Sequence, residues 1–289
     1  MRQTLAIFGP TAPHWVGDGF FVETLLSPQE QGQSASPFLL LDYAAPRHFA
    51  PTAQQRGVGE HPHRGFETVT IVFAGEVAHR DSTGAGGVID AGDVQWMTAG
   101  SGILHEEFHS QAFAKSGGEM EMAQLWVNLP AKDKSAKPRY QTLSKAEIPT
   151  VELPDGAGVF RVIAGACGGV KGPAQTFTEL SLLDARLGAG KRAVFDVPDG
   201  HTVSVLLRKG AVALGDEARL SPGQVAVLSR EGGSVAITAE QNSELLLLSG
   251  KPIGEPIAAY GPFVMNTEAE IRQAISDFRA GRFGAGLPA

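Results

Sequence analysis

Cysteine is the scarcest residue. Cys167 stands alone among 289 residues, so no internal disulfide can form. Its place in GACGGV, among small residues, reads as a buried filler and not as a redox thiol. Clustered basic charge is missing too. Lys and Arg total 24 against 31 Asp and Glu, for a formal charge of −7 and a pI near 5.6. Nucleic-acid affinity without sequence preference needs Lys and Arg to neutralise phosphates, so direct nucleic-acid binding is not expected. Long apolar runs are also absent. MRQTLAIFGPTAPHW has only Leu5 to Phe8 before Gly9 and Pro10, too short for a signal peptide. Nothing approaches the roughly 20 apolar residues of a membrane span. The expectation is a soluble, cytoplasmic, monomeric protein with no membrane segment.

What the chain does have is turns. Gly 36 and Pro 18, with 43% hydrophobic and 19% charged residues, describe an ordinary globular protein rich in loops. The length allows one large domain or two ordinary ones. ETVTIVFAG alternates Val69, Ile71 and Phe73 against Thr68, Thr70 and Val72, and stops at Gly75. GVIDAGDVQWMTAG places a turn at Asp90 to Asp93 between two strands. EMAQLWVNL puts Met122, Gln124 and Trp126 on one face. Lysine-rich PAKDKSAKPRYQTLSK then reads as a linker.

A second strand-rich block repeats the first. GHTVSVLLRKGAVAL and LSPGQVAVLS echo GFETVTIVFAGEVAH and IDAGDVQWMT, with Gly75 matching Gly210 and Gly92 matching Gly223. A repeat of this size predicts an all-β, duplicated barrel. The expected boundaries are 1–135 for the first barrel and 136–289 for linker, second barrel and a short C-terminal helix. NTEAEIRQAISDFRAG carries that helix. Thr267 and Glu270 form a capping box, Ile271, Ala274, Ile275 and Phe278 share a face, and Gly281 supplies the stop.

Two short stretches carry the chemistry. In HPHRGFET, His61 and His63 are two apart, and residues i and i+2 of a strand point the same way. Pro62 between them deletes a ladder donor, which suits an edge or a strand start. In GSGILHEEFHS, His105 and Glu107 repeat the same spacing. Three imidazoles and a carboxylate from two segments suit Fe(II), Mn, Ni, Cu or Zn better than Mg or Ca. A rival lies in the same letters. HEEFH matches H-E-x-x-H, which on a helix would bind zinc through His105 and His109 with Glu106 as base. ILHEEFHSQAFAK even has an amphipathic helical pattern. Gly100 and Gly102 crowd its approach, DVQWMTAG before it reads as β, and His61 and His63 would be left without a role.

With these residues in view, the sequence resembles the pirin family, a branch of the cupin superfamily. The resemblance runs from about Pro37 to Gly284. It is carried by GVGEHPHRGFETVTIV, GDVQWMTAGSGILHEEF, AQLWVNLP and the tail YGPFVMNTEAEIRQAI with GRFG. It implies two cupin barrels with one non-haem metal in the first, most simply iron, with Cu, Ni, Mn, Co or Zn as the other candidates. The implied ligands are His61, His63, His105 and Glu107. Cupins often use a glutamate four residues after the second histidine, here Glu67. Pirins use the later carboxylate, so Glu67 is read as a residue behind the ligands, a structural acceptor or a solvated side chain. Thr98 stands where the general cupin pattern has proline. The second barrel has His201 but neither ligand pair and is expected to bind no metal. His14, His48, His79 and His109 are given structural roles.

The resemblance implies two functions of different class. One is quercetin 2,3-dioxygenase activity, opening a flavonol or similar enolisable aromatic substrate with O2. Four protein ligands on a six-coordinate ion leave two positions open. Glu107 would take the substrate's hydroxyl proton, while Arg64 and Gln124 would orient the ligands from behind. Arg64 can equally be a surface ion-pair partner. The other is a metal-dependent regulatory binder acting on a transcription factor or metabolic enzyme through protein contacts. A pocket at the metal would favour the enzyme, and a sealed metal the binder.

Overall fold

The computed structural model describes residues 1–215 and 218–284. It is built of strands, as the alternation predicts, with one longer helix at Glu268–Arg279. Two compact units each combine a seven-stranded with a four-stranded antiparallel sheet. No helix among the described residues is long and apolar enough to cross a membrane.

In the first unit the large sheet runs Arg139–Leu143, Val94–Thr98, Phe66–Ala74, Gly118–Asn128, Phe38–Phe49, Phe20–Leu26 and His14–Val16. The small sheet runs Gly57–His63, Ile103–His109, Glu76–Asp81 and Gly86–Asp90. Phe66–Ala74 is central, and both its faces are covered, so Val69, Ile71 and Val72 are all buried. Its β-branched residues suit such a pleated surface. The expected turn closes at Asp90, whose carbonyl accepts from the Asp93 N–H at 2.9 Å. Phe20, Val22, Val72, Val77, Ile89, Phe113, Met120 and Met122 form one end of this unit's core.

The second unit repeats the plan. Its large sheet runs Thr4–Phe8, Gln224–Leu228, Thr202–Lys209, Ser243–Gly250, Leu180–Leu187, Gly158–Ala164 and Thr150–Glu152. Its core is apolar, built on Phe160, Val162, Val205, Leu207, Ile237 and Leu247. The paired glycines explain the repeat. Gly75 and Gly210 have φ of 82° and 86°. A Cβ at Gly210 would lie 2.4 Å from the Asn242 carbonyl oxygen, so only glycine turns the chain there without strain.

The units do not divide at 135/136. One comprises Ala12–Gly32, Phe38–Lys145 and the chain from Gly254 on, the other Met1–Thr11, Gln33–Pro37 and Ala146–Ile253. Each terminus thus crosses to the other half. Thr4–Phe8 becomes an edge strand on Gln224–Leu228. The Arg2 guanidinium donates to the carbonyls of His201, Ser229 and Pro198, each at 2.6 Å. At the other end the helix closes on the first unit, where Ile271 and Ala274 pack with Leu104, Phe263, Met265 and Phe283. Its Thr267 cap accepts from the Glu270 N–H at 3.2 Å, as the capping box requires. Phe278, on the face expected to be covered, remains 40% exposed.

Candidate metal centre

Gly57–His63 and Ile103–His109 pair antiparallel, with His61 opposite His105. Alternation turns His61 and His63 to one side of the first strand, and His105 and Glu107 to one side of the second. Between His105 and Glu107 the register shifts, because Glu107 faces Val58. This bulge swings the Gly59 carbonyl onto His61, whose Nδ1 lies 2.8 Å from it. A carbonyl there fixes the tautomer and leaves Nε2 as the lone-pair donor.

The three imidazoles converge. Ring centroids of His61 and His105 are 4.2 Å apart, and His63 lies 4.8 Å from each. One nitrogen from each falls within 4.8 Å of the others. His105 is fully buried, and neither of its ring nitrogens has a hydrogen-bond partner. Leaving such a group unpaired costs about 1–3 kcal/mol. Burial, reinforced by the neighbouring imidazoles, holds His63 and His105 well below the usual imidazole range. Burial also lowers His61. Three neutral, converging imidazoles with unused nitrogens fit a transition-metal dication.

Glu107 is buried two residues along the strand from His105 but falls outside the group formed by the three imidazoles, with its Oε1 3.1 Å from Thr70 Oγ1. Burial raises its carboxyl to about 7, against the opposing bond from Thr70. Thr70 Oγ1 is also 2.7 Å from Gln124 Oε1. One hydroxyl proton cannot serve both oxygens. With Glu107 in its acid form, the carboxyl donates to Thr70 and Thr70 donates to Gln124, and both contacts are satisfied. Gln124 therefore touches the site through Thr70. Trp126, one alternation further, stands 5.5 Å from the His63 ring and 4.3 Å from Phe66, partly exposed.

Other candidates fall elsewhere. Arg64 is engaged by Asp277 of the C-terminal helix, with the Phe283 ring 5.7 Å from its guanidinium carbon. That is the ion-pair role. Glu67 is not solvated. It is fully buried on the face of its strand opposite Thr68 and Thr70, and accepts from Thr98 Oγ1 at 2.7 Å. Arg139 Nε donates in turn to that hydroxyl at 3.3 Å. Thr98, the departure from the cupin proline, is thus the partner of Glu67.

The zinc-protease reading fails on backbone. Ile103–His109 is a strand, and the helix Gln111–Ser116 starts only after the Ser110 cap. His109 meets the Gly19 carbonyl at 2.9 Å and sits among Phe20, Phe49 and Phe113, and Glu106 pairs with Arg80. His79 is buried and stacks on Tyr140 at 4.1 Å. In the second unit His201 meets Ser249 Oγ at 3.5 Å. Sequence reasoning missed Thr70 as a site residue. Its signal was a threonine on the inward face of a central strand, where an apolar residue would pack better.

Two family profiles match. One, described as Pirin, covers residues 20–127, and one, described as Pirin C-terminal cupin domain, covers residues 182–284. A Pseudomonas aeruginosa protein named "Putative quercetin 2,3-dioxygenase PA2418" is 57% identical over 283 residues, 98% of this chain and 99% of that one. Pirin-like protein 2 of Arabidopsis thaliana is 38% identical over 276 residues, 93% of this chain and 81% of that one. The crystal structure of quercetin 2,3-dioxygenase from Acinetobacter baumannii aligns with a TM-score of 0.96 at 52% identity, covering 99% of this chain and 100% of that one.

Proposed function

Because the chain belongs to the pirin family, we propose that it is a non-haem metal protein with quercetin 2,3-dioxygenase-type activity, its metal held by His61, His63, His105 and Glu107. The observation that carries this reading is the convergence of three imidazoles, those of His63 and His105 buried and that of His61 partly exposed. Iron is the first candidate, and Cu, Ni, Mn, Co and Zn accept the same donor set. Once bound, such an ion supplies Lewis-acid and, for iron or copper, one-electron chemistry towards O2 and an oxygen-bearing substrate. The names carried by the Pseudomonas and Acinetobacter proteins support the same activity.

The chain's own residues do the remaining work. His61 is the one partly exposed member of the trio, so an aromatic substrate approaches from its side. Trp126 offers a partly exposed face beside His63 for that ring to lie against. Glu107 would accept the proton of an enolisable hydroxyl of the substrate. Thr70 answers the change: its hydroxyl donates to the carboxylate, or to Gln124 once Glu107 carries the proton. Burial of His63 and His105 keeps water from the inner side of the site.

The test is an anaerobic titration of quercetin into Fe(II)-loaded protein, followed by admission of oxygen. The expected result is a shifted flavonol absorption band, then oxygen uptake with loss of the band, and neither in His105→Ala. The regulatory reading has one observation in its favour. Hollows of about 880 and 810 Å³ open elsewhere, the first on the outer face of Pro62 and the second beside the 51–55 loop. No oxygen uptake by metal-loaded wild type, with quercetin and other enolisable aromatics, selects the regulatory binder.

A further inference from the structure

We propose that the carboxy-terminal segment, residues 254–284, positions the three imidazoles from behind, with Lys134 and the Arg64–Asp277 pair as its fasteners. This rests on the reading of His61, His63 and His105 as metal ligands. In both ligand strands alternate residues point away from the trio, and those residues are the ones the segment holds. Leu104, next to His105, packs against Phe263, Met265, Ile271, Ala274 and Phe283. Pro62, between His61 and His63, lines the hollow formed with Ile257, Tyr260 and Ile275.

The backbone is joined as well. The Arg64 N–H donates to the Pro262 carbonyl at 3.3 Å, and the Val264 N–H donates to the Arg64 carbonyl at 3.0 Å. The fit is close: a Cβ on Gly65 would lie 2.0 Å from the Val264 carbonyl oxygen, and one on Gly102 2.5 Å from the Phe283 ring. On the second strand Ser82 ties Leu104 to the tail. Its N–H donates to the Leu104 carbonyl at 2.8 Å, its hydroxyl donates to the Phe283 carbonyl at 2.8 Å, and it accepts from the Leu104 N–H at 3.1 Å.

Lys134 locks this joint. It is 2% exposed, a rare place for a lysine. Its Nζ donates to Gly65 O at 2.9 Å, Val264 O at 2.9 Å and Asn128 Oδ1 at 2.8 Å. All three ammonium donors are used. Two of them bind the turn just after His63 to the strand that braces it. Arg64, the next residue after His63, reaches Asp277 on the helix. Each ligand strand is therefore held on its outer face at the residue adjoining a histidine.

A brace that only stabilises the fold and one that positions ligands differ in what they do to a bound ion. Outer groups that orient metal ligands typically change affinity by about 10–100-fold. The experiment uses Co(II) as the probe ion, with affinity from chelator competition and the visible d–d spectrum as a report on coordination. Lys134→Met and Phe283→Ala are expected to weaken Co(II) binding by about 10–100-fold and to alter the spectrum. Asp277→Asn, which removes only the charge from the helix end of the pair, is expected to act in the same direction by less, and it carries the test if the buried variants do not fold. Val205→Ala, in the core of the second unit, is the control for lost stability. Wild-type affinity and spectrum in the braced-segment variants overturn the proposal, as does an equal effect of Val205→Ala at matched loss of Tm. Failure of the wild type to bind Co(II) is a different result: it removes the metal reading itself, and the brace's role with it.

Discussion

Glu67 is buried as an acid, and its replacement by Gln gives a pH-dependent stability difference. Burial raises this carboxyl from 4.5 to about 7, with the Thr98 hydrogen bond and the charge of Arg139 opposing. In the unfolded chain the group ionises near 4.5, while in the folded chain it keeps its proton to about 7. Between those values unfolding releases a proton, so stability falls as pH rises. At roughly 1.4 kcal/mol per pH unit, the loss is about 3 kcal/mol by pH 8. Gln keeps the acceptor for Thr98 Oγ1 but cannot ionise. Its amide N–H groups add a cost of about 1–3 kcal/mol that does not depend on pH. The assay is denaturant unfolding of metal-free wild type and Glu67→Gln, followed at the transition of the first unit, at pH 5 and pH 8. Wild type is expected to lose about 2–3 kcal/mol relative to the variant across that interval. A difference that stays constant with pH, or one that moves the other way, would refute the placement of Glu67 as a buried acid.

Three further outcomes are expected. Glu107→Gln keeps size and one ligating oxygen but loses the proton acceptor, so metal is partly retained and quercetin turnover drops by about 10²-fold, measured by oxygen uptake. Unchanged turnover would remove Glu107 as the base. Arg2→Ala strands three carbonyls that now share one guanidinium. It is expected to lower the Tm of the second unit, read by differential scanning calorimetry, without changing metal affinity at the first. Thr70→Val removes the hydroxyl between Glu107 and Gln124 and is expected to shift the acidic limb of the pH–rate profile to higher pH, since the carboxylate loses its donor. An unmoved limb would show that Glu107 ionises independently of Thr70.

The site was legible where the chemistry follows strand alternation. His61 and His63, then His105 and Glu107, share faces by period two, and that period survives any detail of loop length. Gly75 and Gly210 announced the duplicated plan, because only glycine takes that turn. Three things were not legible. The pairing of Thr4–Phe8 with Gln224–Leu228 joins residues more than 200 apart, and nothing in either segment names the other. The wrapping of the C-terminal helix onto the first unit depends on Leu104, Phe263 and Phe283 meeting, again without local trace. For Glu67 and Arg64 the sequence left alternatives open, because short spacing to a ligand does not fix the face. Glu67 is on the opposite side of its strand from Thr70, and Arg64 follows the backbone outward to Asp277.

The measurement closest to the central claim is metal content per chain, by elemental analysis, for wild type, His61→Ala, His105→Ala and His109→Ala after loading with Fe(II) and gel filtration. One ion per chain is expected in wild type and in His109→Ala, and essentially none in His61→Ala or His105→Ala. Full retention in both of the latter would contradict the site. Loss in His109→Ala together with His105→Ala would return the zinc-helix alternative, against a backbone that forms a strand there.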